Sequence, residues 1–300
     1  MKRLAILLTA ISLPIDAGAG RAQPPSLSAA RLHVSVEVDA HNVFIYRYSL
    51  ENGAGSNAGI WKLTIDISLP AGASAPSAAG LAHGAGYFAP SSAAGRNPKA
   101  DGAVPVALSA PQPGWKTTVG TDATARWVAQ NTSLVFPKQR RNGFSLASHG
   151  PPALRRFSLA PYVDAERAPI MEPGDDPGEL DRYQQEFDQY VESRSVVGTT
   201  LAPTGPVTVT ADALLANLAR QVVECRSLRW ISNDAVTRSV TEKLQAARAA
   251  ISRSQWELAV NILRALRNDV AAQSGKTLTV EAVALVDLNI QYTLPLVARR

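Results

Sequence analysis

"LRALRNDVAAQSGKTLTVEAVALV", residues 263–286, decides how the chain is organised. Leu263, Leu266 and Val270 recur every three or four positions, and Val283 and Val286 repeat the spacing after Thr279, so two helices flank a break at Ser274-Gly275. The same period runs back through the C-terminal third. Leu214, Leu215, Leu218, Val222 and Cys225 form one stripe; Val236, Val240, Leu244, Ala247 and Ile251 a second; Trp256, Val260, Leu263, Leu266 and Val270 a third; and Val283, Val286 and Ile290 a fourth. Start signals stand between them: Ser232-Asn233-Asp234, Ser252 to Ser254, and Thr277 or Thr279 after Gly275. Helices joined by short loops predict an antiparallel helical bundle over residues 211–297.

Upstream the period changes to two. "RLHVSVEVD" places Leu32, Val34, Val36 and Val38 on one side, and "NVFIYRYSLENG" does so with Phe44, Tyr46, Tyr48 and Leu50 before a turn signal. "IWKLTIDISL" aligns Trp61, Leu63, Ile65, Ile67 and Leu69. "AVPVALS", "TARWVAQ", "TSLVF", "NGFSLAS" and "LRRFSLAP" are further candidate strands. Residues 30–164 therefore read as a β-sandwich-like domain, with an Ala/Gly/Ser/Pro-rich insertion over 70–114 that has little to bury. The fold class expected is multidomain, all-β followed by all-α.

Residues 165–210 separate the two as an acidic connector and Pro/Gly linker. Leu180, Tyr183, Phe187, Tyr190 and Val191 approach helical spacing there, and "VVGTTLAPTGPVTV" suits an extended interdomain tract. Charge segregates at the same boundaries. Residues 161–210 hold 3 Lys+Arg against 10 Asp+Glu, whereas 31–160 hold 12 against 6 and 211–300 hold 12 against 8.

Lys2 and Arg3, the apolar run Leu4 to Leu13 and the small residues Ala17-Gly18-Ala19 have the order of a secretory signal peptide over 1–22, cleaved after Ala19 or Ala22. No later segment is expected to reach the roughly 20 apolar residues of a membrane span. The protein is thus expected to be secreted or periplasmic, without a transmembrane anchor. Its single cysteine, Cys225, excludes an intramolecular disulfide and a multi-thiolate metal site, and its helix stripe makes it a small buried hydrophobe.

Catalytic chemistry finds few residues to use. His33, His41, His83 and His149 all precede the helices, and no two have the i, i+4 spacing with an intervening Glu of a zinc protease. "NGFSLAS" is not a Gly-x-Ser-x-Gly elbow, which leaves Ser145 and Ser148 without the context of a nucleophile. "SGKT" at 274–277 lacks the upstream glycine of a phosphate loop and reads as a helix stop. Glu172, Asp175, Asp176, Glu179 and Asp181 carry Ca²⁺-type ligands without EF-hand spacing, so a solvated acidic connector is expected. Lys138, Arg140, Arg141, Arg155 and Arg156 could draw a polyanion or pair with that connector. Export argues against nucleic acid as a partner. Trp61, Trp127, Trp230 and Trp256 fall in apolar patterns and are expected in the core, while Trp115 has no assignment. No catalytic, cofactor-binding or metal-ligating residue is assigned.

The helical run resembles the FIMAH domain, a helical module near the C-termini of bacterial extracellular proteins. Leu244 in "EKLQAA", Ala259 in "WELAV", Leu263 and Ala265 in "LRAL", Val270, and "AAQSGK" with "LTVEAVALV" carry the resemblance. Leu266-Arg267 departs from it, standing where an aromatic-Ile pair is expected. The resemblance covers about the last 85 residues and implies an accessory or interaction module with no catalytic residues to carry over. The function expected is non-catalytic binding of an envelope protein or glycan; the alternative is a secreted hydrolase, or its accessory subunit, with a site around His33, His41 or His149.

Overall fold

The computed structural model describes residues 23–67, 105–120, 123–130, 133–164, 168–170, 177–204 and 210–298. The proposed signal peptide, most of the 70–114 insertion, His83 and the acidic residues Glu172, Asp175 and Asp176 lie outside them.

Two antiparallel sheets come first. Strands β1 (Ala30–Val38), β2 (Phe44–Asn52), β7 (Gln139–Ser148) and β4 (Pro105–Ser109) form one, in the order β1-β2-β7-β4. Strands β5 (Trp115–Val119), β6 (Thr124–Ala129), β3 (Ile60–Asp66), β8 (Pro152–Pro161) and β9 (Val196–Pro203) form the other, in the order β5-β6-β3-β8-β9. Period-two alternation works here as a burial code: Phe44, Tyr46, Tyr48 and Leu50 of β2 are buried, as are Leu63 and Ile65 of β3. Large rings from the two sheets meet. Tyr48 lies edge-on to Trp127 at 5.8 Å, and Phe144 lies edge-on to Trp115 at 4.8 Å. Their polar tips reach across as well, Tyr48 Oη donating to the Leu201 carbonyl (3.0 Å) and Trp127 Nε1 to the Ser109 carbonyl (2.8 Å).

Three sequence expectations for this region are corrected. Trp61 is not in the main core, because a register shift between Ile60 and Lys62 puts Ile60 inward and leaves Trp61 against helix α1 (Pro177–Ser193). "TSLVF" is not a strand but a single bridge, Ile60 to Val135, followed by a turn. Most of the expected linker "VVGTTLAPTGPVTV" is strand β9, paired along its length with β8. Its small residues fit because a Cβ on Gly198 would come within 2.7 Å of the Phe157 ring, so the glycine makes room for an aromatic side chain of the neighbouring strand.

Helices α2 (Ala211–Ser227), α3 (Asp234–Ser252), α4 (Trp256–Gln273) and α5 (Val280–Ala298) follow. Each packs against the next, and α5 returns to α2. Thr210 caps α2 by accepting from Ala213 N–H, and Asn233 caps α3 by accepting from Ala235 N–H. Helix α4 starts after Gln255 with no side-chain cap, one residue beyond the expected serines. Leu218, Val222, Leu244, Leu263, Leu266 and Ile290 are buried between the helices. Ion pairs tie each helix to the next: Asp212 and Asp234 to Arg248 and Arg226 across α2 and α3, Lys243 to Asp269 across α3 and α4, and Arg267 to Asp287 across α4 and α5. The last is bidentate (2.6 and 3.1 Å), which gives the unexpected Arg267 a partner.

The "SGKT" break also has a structural role. The chain at 277–279 runs beside the α2–α3 turn, with Thr279 N–H donating to the Trp230 carbonyl (2.9 Å) and Ser232 N–H to the Thr277 carbonyl (2.9 Å). Ile231 and Leu278 are buried beneath this bridge. Gly275, at φ +71°, makes the turn that brings the segment there.

Helix α5 is long and apolar enough to cross a membrane, contrary to the expectation that no later segment approaches that length. Its composition follows from what surrounds it, since it packs on α2, α4, β1 and β8 together. Asn289 on this helix donates to the Pro152 carbonyl of β8 (2.7 Å), and Gln221 of α2 accepts from Leu154 N–H (2.7 Å). A continuous cluster of buried residues therefore runs from the sheets into the helices.

Candidate functional site

The β part presents an open trough of about 980 Å³ between the start of the described chain, the ends of β3 and β8, the turn before β7, and α1. Asn52 braces two of the segments that line it. Fully buried, this residue donates from Nδ2 to both the Ala58 (2.9 Å) and Val135 (2.8 Å) carbonyls, locking together two segments that the Ile60–Val135 bridge also joins. Phe136 follows directly and its ring stands on the surface. Tyr162 is placed from the other side by its N–H, which donates to the Gly59 carbonyl (2.7 Å).

One wall is the segment Pro24-Pro25, held by Asn57, whose Oδ1 accepts from Ser26 N–H (2.6 Å) and whose Nδ2 donates to the Pro24 carbonyl (3.1 Å). The opposite wall is the end of α1, where the Arg194 guanidinium lies 5.3 Å from the centre of the Tyr190 ring. Of the seven large hydrophobic side chains that stand exposed among the described residues, Phe136 (44%) and Tyr162 (50%) are the two aromatics, and both line this trough. Such a surface offers flat apolar faces beside an amide, a carboxylate (Asp164) and a guanidinium, on walls stiffened by proline.

Neither Phe136 nor Tyr162 was singled out in the sequence, and Tyr190 was only as part of a helical stripe. Phe136 and Tyr162 sit just beyond strand ends, where alternation no longer reports which way a side chain faces. Trp127, expected in the core, and Trp115, which had no assignment, are both buried.

The sequence-derived candidates are dispersed. His33 pairs with Glu51 (3.1 Å) on the first sheet. His41 lies 3.8 Å from Asp39, whose carboxyl is held below its usual range chiefly by the Val43 N–H bond. His41 and His149 do come together, lining a separate small cavity with Tyr292. Among the described residues no histidine is hydrogen-bonded to a hydroxyl, and no three His, Cys, Asp or Glu side chains form a metal-ligand group. Ser145 and Ser148 lie along β7, paired with strands on both sides. Arg140 and Arg141 belong to one sheet, donating to Ser49 and to the Pro113 carbonyl, whereas Arg155 and Arg156 belong to the other. Arg155 is buried against the Pro203 carbonyl (3.2 Å), so the five basic residues do not form one patch. Glu179 and Asp181 lie in the first turns of α1, where Glu179 faces Arg182 (3.4 Å). Burial, with Glu224 adding to it, pushes the Cys225 thiol up to about 12, which leaves it protonated and unreactive.

No family model and no curated protein sequence matches the chain.

Proposed function

We propose that this is an exported, non-catalytic binding protein of the cell envelope or extracellular space, which holds an envelope protein or glycan in the Phe136–Tyr162 trough. In this reading the two sheets form a sandwich that presents the site. The helices form an antiparallel bundle that serves as an accessory contact module, as its resemblance to the FIMAH domain implies. The observation that carries the proposal is the pairing of the exposed aromatics Phe136 and Tyr162 in one trough whose segments are tied together by hydrogen bonds. Buried surface of this kind contributes through ring faces, and aromatic residues are enriched among those that dominate binding.

The test is a screen of the full chain against envelope glycans and detergent-free envelope extracts, run in parallel with Phe136→Ala/Tyr162→Ala. Binding that weakens by at least about tenfold in the double variant, with unchanged melting, supports the site. Binding undiminished in that variant moves the site elsewhere. The alternative, a hydrolase or its accessory subunit, draws on the meeting of His41 and His149 and predicts turnover that is lost when either is replaced.

A further inference from the structure

The cavity shared by His41 and His149 lies where the β part and the helical part meet. Its volume is about 220 Å³, below the roughly 300–1,000 Å³ of pockets that hold drug-sized ligands, so it suits one or two rings. The inner surface is apolar. Phe44 and Tyr292 approach each other across the joint at 6.0 Å, with Val38 and Leu296 beside them. Three polar groups line this surface, two of them side chains without a protein partner among the described residues. His149 makes no hydrogen bond through its ring, and Tyr292 makes none through its hydroxyl, among the described residues. The third follows from covalent structure. Pro295 has no N–H, so the carbonyl of Gln291, four residues earlier in α5, loses its helical donor, and both residues line the cavity.

The charge around the cavity selects among ligands. None of the residues lining it is Lys or Arg. Asp39, kept ionised by the Val43 and His41 backbone N–H groups (2.9 and 2.8 Å), stands beside His41. An anion is therefore disfavoured, and an uncharged ring with a donor for the Gln291 carbonyl is favoured.

We infer that this cavity is a binding site for an uncharged one- or two-ring aromatic molecule carrying a hydroxyl or ring N–H, seated against Phe44 of the sheet and Tyr292 of α5 and hydrogen-bonded to the Gln291 carbonyl. Occupancy ties the two parts of the molecule together, because the ligand touches both.

Indole and phenol serve as probes and benzoate as the anionic control, using calorimetry and ¹H–¹³C shifts of the full chain. The expected result is saturable one-to-one binding of indole or phenol that moves the His149 and Tyr292 resonances, with benzoate at least about tenfold weaker. Leu296→Trp fills the cavity and should abolish binding. Pro295→Ala restores an N–H to the Gln291 carbonyl and should weaken indole about fivefold, one hydrogen bond's share, while the melting temperature holds or rises. The inference is overturned if neither probe saturates up to its solubility, if binding survives Leu296→Trp, or if benzoate binds as tightly as phenol. Because the shifts are read on the unaltered protein, a poorly folding Leu296→Trp leaves the proposal open to refutation.

Discussion

The β part and the helical part solve burial by different means. In the β part the core is aromatic, and three large rings hand a polar tip to a distant carbonyl, Tyr46 to Gly150, Tyr48 to Leu201 and Trp127 to Ser109, while the buried Nε1 of Trp115 has no partner among the described residues. In the helical part the core is aliphatic and alanine-rich, and charged groups stay at the rim as ion pairs between successive helices. The first arrangement joins residues far apart in sequence and leaves no tolerance in ring position. The second joins neighbours through side chains that solvent partly screens. Exposed rings follow the same division, since Phe136 and Tyr162, the two large aromatics exposed among the described residues, both stand just beyond strand ends of the β part.

Removing one core side chain from each part should break the comparison most severely. Trp127→Ala deletes a fully buried ring, and about 3–5 kcal/mol of stability should be lost; Leu263→Ala in α4 should cost about 2–5 kcal/mol. Urea unfolding of both variants checks this. Equal loss of sheet and helix signals at one midpoint is expected, whereas loss confined to the mutated part would mean that the buried cluster is not continuous.

The seam comes next in size. Asn289→Ala leaves the Pro152 carbonyl without its donor, for which about 1–3 kcal/mol is expected, measured by the same unfolding curves. A smaller effect on the β signals than on the helix signals would show that the bond belongs to α5 alone, through its second partner Leu285.

The rim pairs should matter least. Asp212, hydrogen-bonded by Arg248, has its carboxyl held below the usual range, first by that bond and then by the Coulomb attraction of the same guanidinium. A folded-state value below the unfolded one makes the pair stabilising above about pH 4, and that contribution fades as pH falls through the folded value. Both side chains are more than a third exposed (36% and 49%), so Asp212→Asn should cost at most about 1 kcal/mol at pH 7 and less as the pH falls. A cost that grows on acidification would reverse the sign.

Much of this was legible in the residues. Period two from Leu32 to Leu50 and period 3.6 from Leu214 to Ile290 correspond to strands and helices, with buried faces where Tyr46, Tyr48, Leu218 and Leu263 placed them. What escaped depends on facts that a linear pattern does not contain. Trp61 was displaced by a bulge against β8, a property of the partner strand. β9 looked like a linker because its small residues carry weak apolar signal, yet Gly198 is small on account of Phe157, 41 positions away. The trough lay beyond reach for the same reason, since it gathers Pro24, Asn57, Phe136, Tyr162 and Arg194 from five stretches of chain.

Both binding proposals need the sheets and helices to be held as one body, the seam cavity most of all. Calorimetric melting of the full chain measures this directly. A single transition whose calorimetric and van't Hoff enthalpies agree, shifted as a whole by Asn289→Ala, is the result predicted by the shared core and the Asn289, Gln221 and Tyr292 contacts. Two resolved transitions, with Asn289→Ala moving only one of them, or a helical fragment cut free between Thr204 and Thr210 that melts at the parent temperature, would contradict it.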